Sequence, residues 1–81
     1  MNLSELQQKL HEAGIPAHAY CLTGGLPNES YCIERRGDGV WTTYYSERGM
    51  RTGIKTFTNE LTACQDVFDV VTHWFDRKQK S

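Results

Sequence analysis

The sequence predicts an α+β domain: an N-terminal helix, a three- to four-stranded antiparallel meander and a C-terminal helix, with both helices packed on one sheet face. Three observations predict it. Leucines near the start recur at helical spacing, the middle alternates strand formers with glycine-bearing turns, and the last third carries one long apolar stripe. The 81 residues suffice for a single domain, residues 1–81. A chain of this size buries only about 60% of its unfolded surface, so its core is thin.

Leu3, Leu6, Leu10 and Ala13 fall on one helical stripe. Asn2 with Glu5 forms one possible capping box, and Ser4 with Gln7 a rival one. Gly14, Ile15 and Pro16 form a stop signal: a glycine for left-handed backbone, an apolar residue to fold back, and a proline. His18 to Leu22 reads as a short strand, followed by a loop that the glycines and proline of Thr23 to Asn28 demand. Ser30 to Arg36 is the second strand, with Tyr31 and Ile33 on one face and Cys32 and Glu34 on the other. Gly37, Asp38 and Gly39 signal a hairpin. Val40 to Ser46 is the third and strongest strand, Arg48 to Gly53 a turn or wide hairpin end, and Gly53 to Phe57 a fourth strand. Leu61, Cys64, Val67, Phe68, Val71, Trp74 and Phe75 then follow three-four spacing over about four turns. Thr58 or Asn59 caps this helix. Glu60, Asp66 and Asp69 near its start and Arg77, Lys78 and Lys80 at its end suit the helix dipole.

The charge balance is nearly even, nine basic against ten acidic side chains, so the chain has no global basic footprint for nucleic acid or an anionic membrane. No apolar run approaches the ~18 residues of a membrane span. The N-terminus alternates polar residues with leucines and does not read as an export signal. Cys21, Cys32 and Cys64 therefore read as reduced, packed thiols in a cytoplasmic protein. Cys21 and His18 lie on opposite faces of one strand, and Cys64 and His73 on opposite sides of one helix, so neither pair makes a nucleophile and its base. There is no Cys-x-x-Cys or His-x-x-x-His, and Asp66, Asp69 and Asp76 read as a solvated face, so neither metal nor cofactor is expected. Gly24 and Gly25 lead to a proline and a strand rather than a helix N-terminus, which makes them turn residues and not a phosphate cradle.

Two binding roles remain. Helix, strands, helix is also the order of a double-stranded-RNA-binding domain, so a small RNA- or DNA-binding module is the alternative. Against it, the start of the last helix is acidic where such domains place phosphate-gripping lysines. The other role is protein recognition. Trp41-Thr42-Thr43-Tyr44-Tyr45-Ser46-Glu47-Arg48-Gly49-Met50-Arg51-Thr52-Gly53 sets paired tyrosines beside arginines, the chemistry of interface anchors. Alternation puts Trp41, Thr43 and Tyr45 on one face and Val40, Thr42 and Tyr44 on the other without fixing which is buried. The larger apolar payload of Trp41 favours its face as inward, leaving Tyr44 and Thr42 on the outer face. Tyr44 is then the expected anchor, rimmed by Glu47, Arg48 and Arg51.

The run from Leu26 to Glu34, through Trp41, Tyr44 to Gly49 and Thr52 to Lys55, to Phe57, resembles small bacterial immunity proteins of polymorphic-toxin and contact-dependent growth inhibition systems. The resemblance spans roughly residues 20 to 75 and implies a cytoplasmic inhibitor without enzymatic activity. Its partner would be a cognate toxin domain whose active site it occludes. Many such toxins are nucleases, and Glu34 and Asp38, with Glu29 and Glu47, suit a basic nuclease site by standing in for phosphates. The expected partner-binding set is Tyr44, Glu47, Arg48, Arg51, Glu34 and Asp38.

Overall fold

The computed structural model describes the backbone of residues 1–80 and the side chains of residues 1–75; the charges expected at Asp76, Arg77, Lys78 and Lys80 lie outside the described side chains. Helix α1 spans Leu3–Glu12. A single helical turn, Ala17–Ala19, leads to strand β1, Tyr20–Cys21. Strands β2 (Ser30–Arg35), β3 (Trp41–Glu47) and β4 (Met50–Phe57) follow, and helix α2 covers Glu60–Lys80. The four strands form one sheet in the order β1-β2-β3-β4.

Local chemistry explains the helix ends. Glu5 N–H donates to Asn2 Oδ1 at 2.9 Å and Asn2 N–H to Glu5 Oε1 at 3.2 Å, so the capping box forms at Asn2. At the other end Gly14 takes φ +78. Its N–H reaches His11 O at 3.0 Å, and Ile15 N–H reaches Leu10 O at 3.1 Å, the two bonds of a Schellman stop. Ile15 is buried there with Leu10. Asn59 caps α2, its Oδ1 accepting from Thr62 N–H at 2.8 Å. The helices meet near their starts, where Glu60 Oε2 accepts from Leu3 N–H at 3.0 Å.

The sheet departs from an all-antiparallel meander in one place: β1 pairs in parallel with β2, Tyr20 beside Tyr31 and Cys21 beside Cys32. The eight-residue loop between them crosses far enough to bring the chain back in the same direction. The expected strand from His18 shrinks to two residues, because the turn Ala17–Ala19 occupies its beginning. The fourth strand starts earlier than expected, at Met50. Arg48 and Gly49, at φ +52 and +75, make a two-residue connection with both central residues left-handed, the form that matches strand twist.

The pleat sorts the faces. Tyr31, Ile33 and Trp41 share one core with Leu6, Leu10, Cys64, Val67 and Val71, and Tyr45, Phe57, Phe68 and Trp74 pack against it. Both helices therefore lie on this face, and Trp41 and Tyr45 are inward. Leu61, expected on the buried stripe, is 56% exposed at the first turn of α2.

The opposite face is not open. The loop from Leu22 to Glu29 folds across β2 and β3. Tyr44 Oη donates to Gly25 O at 2.8 Å and Ser46 Oγ to Pro27 O at 2.6 Å. Cys21 Sγ donates to Gly24 O at 3.1 Å, and Arg48 N–H to Asn28 Oδ1 at 3.1 Å. Strand β3 is thus sandwiched, with Trp41, Thr42, Thr43, Tyr44 and Ser46 all buried.

Candidate interaction surface

Tyr44 is on the outer face, as alternation requires, but it is 1% exposed and cannot be a free anchor. Its hydroxyl is capped by the loop and its ring is covered by Arg51, whose Cζ stands 4.8 Å from the ring centroid. Burial first, then the nearby Cys32 and Glu34, pushes the phenol up from its ordinary pKa.

The position of Arg51 is a product of backbone irregularity. Trp41, Thr42 and Thr43 face Phe57, Thr56 and Lys55, whereas Tyr45 faces Thr52 and Ser46 faces Arg51. Tyr44 therefore opposes both Gly53 and Ile54, a bulge in β4, and Gly53 accommodates it at φ +61. Without that extra residue Arg51 would fall on the helix side. With it, Arg51 turns onto the outer face and bridges Glu34 at 3.6 Å.

Glu34 is consequently occupied. Arg36 lies 3.9 Å from its other oxygen, and Gly24 packs so tightly that a Cβ there would stand 2.6 Å from Glu34 Oε1. The structure therefore joins Tyr44, Arg51 and Glu34, with Arg36, into one cluster beneath the loop. It separates the other expected residues. Asp38 is exposed at the β2–β3 hairpin, while Arg48 is at the β3–β4 hairpin at the other end of the sheet. Glu47 shares the helix-side face with Tyr45 and acts on its phenol.

Asp66, expected on a solvated face, is the polar hub of the interior side. Its Oδ2 accepts from Tyr31 Oη at 2.7 Å and Thr43 Oγ1 at 2.8 Å, and its Oδ1 from Lys55 Nζ at 2.8 Å. Burial alone would raise its pKa. The hydrogen bonds from Lys55, Tyr31 and Thr43 outweigh that and hold the carboxyl below its usual range. Helical spacing could not reveal this role, because it depends on strands 11 to 35 residues away in sequence.

The exposed apolar side chains were not among the expected partner residues. Met50 is 64% exposed, Ile54 57% and Leu26 51%. Met50 and Ile54 belong to β4, which ends the strand order and, among the described residues, has no neighbour on its outer side. Seven of its eight residues are exposed and only Phe57 is half-buried. Leu26 follows the carbonyl that caps Tyr44, and Ile54 stands beside Tyr44 on the adjoining strand. The surface thus combines a long free strand edge, two aliphatic side chains flanking the Tyr44 cluster, and the partly exposed guanidinium of Arg51.

Among the described residues, no group of three or more His, Cys, Asp or Glu is placed to hold a metal ion, and no helix is long and apolar enough to cross a membrane. Cys32 and Cys64 are buried, which pushes their thiols up to about 12 and about 11. No protein-family model, curated protein or solved structure matches the chain.

Proposed function

We propose that this protein is an immunity protein that binds a cognate toxin domain through β4 and the adjoining outer face, and so occludes the toxin's active site. The free eight-residue edge of β4, with Met50 and Ile54 exposed, carries the reading. An unpaired edge offers main-chain donors and acceptors to a partner strand, and flanking apolar side chains supply the desolvated centre that such contacts need. Tyr44 has an indirect part: it supports Arg51 and the loop that presents Leu26. A basic nuclease is the toxin class that suits exposed Asp38, whereas Glu34 is already paired with its arginines and Glu29 and Glu47 lie toward the helix side.

The test is co-expression with whatever domain the directly upstream gene encodes, which this reading expects to be the toxin. Growth should be rescued by the native chain and lost with Ile54→Asp, while the variant's melting temperature stays within a few degrees, since the side chain contributes little to the core. An upstream domain that is not toxic, or one that the native chain does not neutralise, overturns the proposal. Titration with duplex RNA at low salt separates the nucleic-acid alternative, which requires tight binding with a salt slope of several charges.

A further inference from the structure

On the helix side of the sheet, away from the β4 surface, an open cleft of about 290 Å³ is lined by His18, Ala19, Glu29, Tyr45, Trp74 and Phe75. It falls just below the usual size of ligand pockets, which run roughly 300–1,000 Å³. Three of its walls are aromatic. Trp74 is held edge-on by two tyrosines, with ring centroids 5.6 Å from Tyr31 at 85° and 5.5 Å from Tyr45 at 88°. The indole is therefore fixed before any ligand arrives.

The polar rim is also built by the fold. Ser30 Oγ donates to His18 O at 2.6 Å, which pins the segment before β1 to the start of β2 and brings His18 beside Glu29. Glu29 takes φ +54, a left-handed backbone that a residue other than glycine adopts at some cost. That conformation sets exposed Glu29 among the residues lining an aromatic cleft. Burial first, then Glu47 and Glu29, raises the Tyr45 phenol from its ordinary value.

We propose that this cleft is a binding site for an organic cation, an alkylammonium group seated against Tyr45, Trp74 and Phe75 with Glu29 as its counter-charge. Aromatic faces carry negative quadrupole density and attract such ions, with Trp the strongest wall. An anion would meet both the ring faces and Glu29 unfavourably, and a neutral apolar group would gain nothing from the carboxylate. The same group can come from a free quaternary amine or from a methylated lysine side chain of another protein.

Titration followed by the indole N–H resonances tests the site with choline, with the uncharged carbon isostere of choline, and with a short peptide carrying trimethyl-lysine. Choline should saturate the Trp74 signal with a dissociation constant on the order of millimolar and leave that of Trp41 unmoved. The isostere should bind at least about fivefold more weakly, and Glu29→Gln should weaken choline by about fivefold through loss of one solvent-screened charge. Because Glu29 is exposed, that variant keeps the fold, and its melting curve verifies this. A peptide tighter than choline assigns the ligand to a partner protein, and the reverse order assigns it to a small molecule. Equal binding of the isostere, an unchanged affinity in Glu29→Gln, or no saturable shift of Trp74 overturns the proposal.

Discussion

Tyr44 and Trp41 stand on opposite faces of β3, yet both are buried, so truncation of either should strongly destabilise a domain this small. Trp41→Ala and Tyr44→Ala are each expected to cost about 3–5 kcal/mol of folding free energy, read from denaturant midpoints at constant slope. Tyr44→Phe is the gentler probe: it removes the bond to Gly25 O and should cost about 1 kcal/mol. A Tyr44→Ala variant that melts like the native protein would mean the loop does not cover that ring in solution. Asp66 gives a pH signature. Its folded pKa is depressed, so its contribution is fully present above the unfolded pKa and is lost as pH falls through the lower, folded value. Asp66→Asn should therefore be less stable than the native chain at neutral pH, by about 1–3 kcal/mol. The gap should close as the solution is acidified below about pH 4, the range in which unfolded aspartate gains its proton. Thermal melts of both proteins across that range check it.

Among the elements, β4 depends on one irregularity. Its bulge needs left-handed backbone at Gly53, where nothing lies within 4 Å of a would-be Cβ. Gly53→Ala therefore suffers no clash, only the roughly 1–2 kcal/mol cost of that conformation for an L-residue. Relief of the strain by removing the bulge would turn Arg51 to the helix side and break its contacts with Tyr44 and Glu34. The expected outcome is a modest stability loss with a larger loss of partner affinity, measured together on one preparation. The loop from Leu22 to Glu29 is the other element on which the outer face depends. Gly24→Ala combines φ +78 with a Cβ at 2.6 Å from Glu34 Oε1, so it should loosen the loop and raise exchange at the sheet amides beneath it.

For the molecule as a whole, two layers of side chains cover the central strand, and every buried side-chain nitrogen or oxygen among the described residues has a hydrogen-bond partner. Cooperative behaviour follows from that sharing, because the helix layer and the loop layer both rest on β3. Thiol reactivity reports it. Cys32 and Cys64 are buried on opposite sides of the sheet, with thiols held at about 12 and about 11. In native protein near pH 8 a thiol reagent should label half-buried Cys21 first. Cys32 and Cys64 should then react together, at a rate that tracks global unfolding. Mass spectrometry over time checks this, and early labelling of Cys32 alone would show that the loop opens independently.

What the sequence determined by itself is what local chemistry controls. Leucine spacing and the Asn2–Glu5 box made α1, Gly14 and Ile15 ended it, and the apolar stripe from Cys64 to Phe75 made α2. Alternation on β3 set Trp41 and Tyr45 together on one face, because side-chain direction in a strand follows from the pleat, and the large apolar body of Trp41 marked that face as the core. The tertiary structure decided everything that depends on meeting a distant segment. Whether Tyr44 is covered turns on a loop closing about 19 residues away, and Arg51 reaches it through a one-residue bulge that shifts pairing register. Asp66 becomes a hub only when β2, β3 and β4 come together beneath α2, and the Trp74 cleft exists only where that helix crosses the end of the sheet. Periodicity records which way a side chain points along its own element. It carries no record of what arrives to meet it, because that is set by packing across the fold.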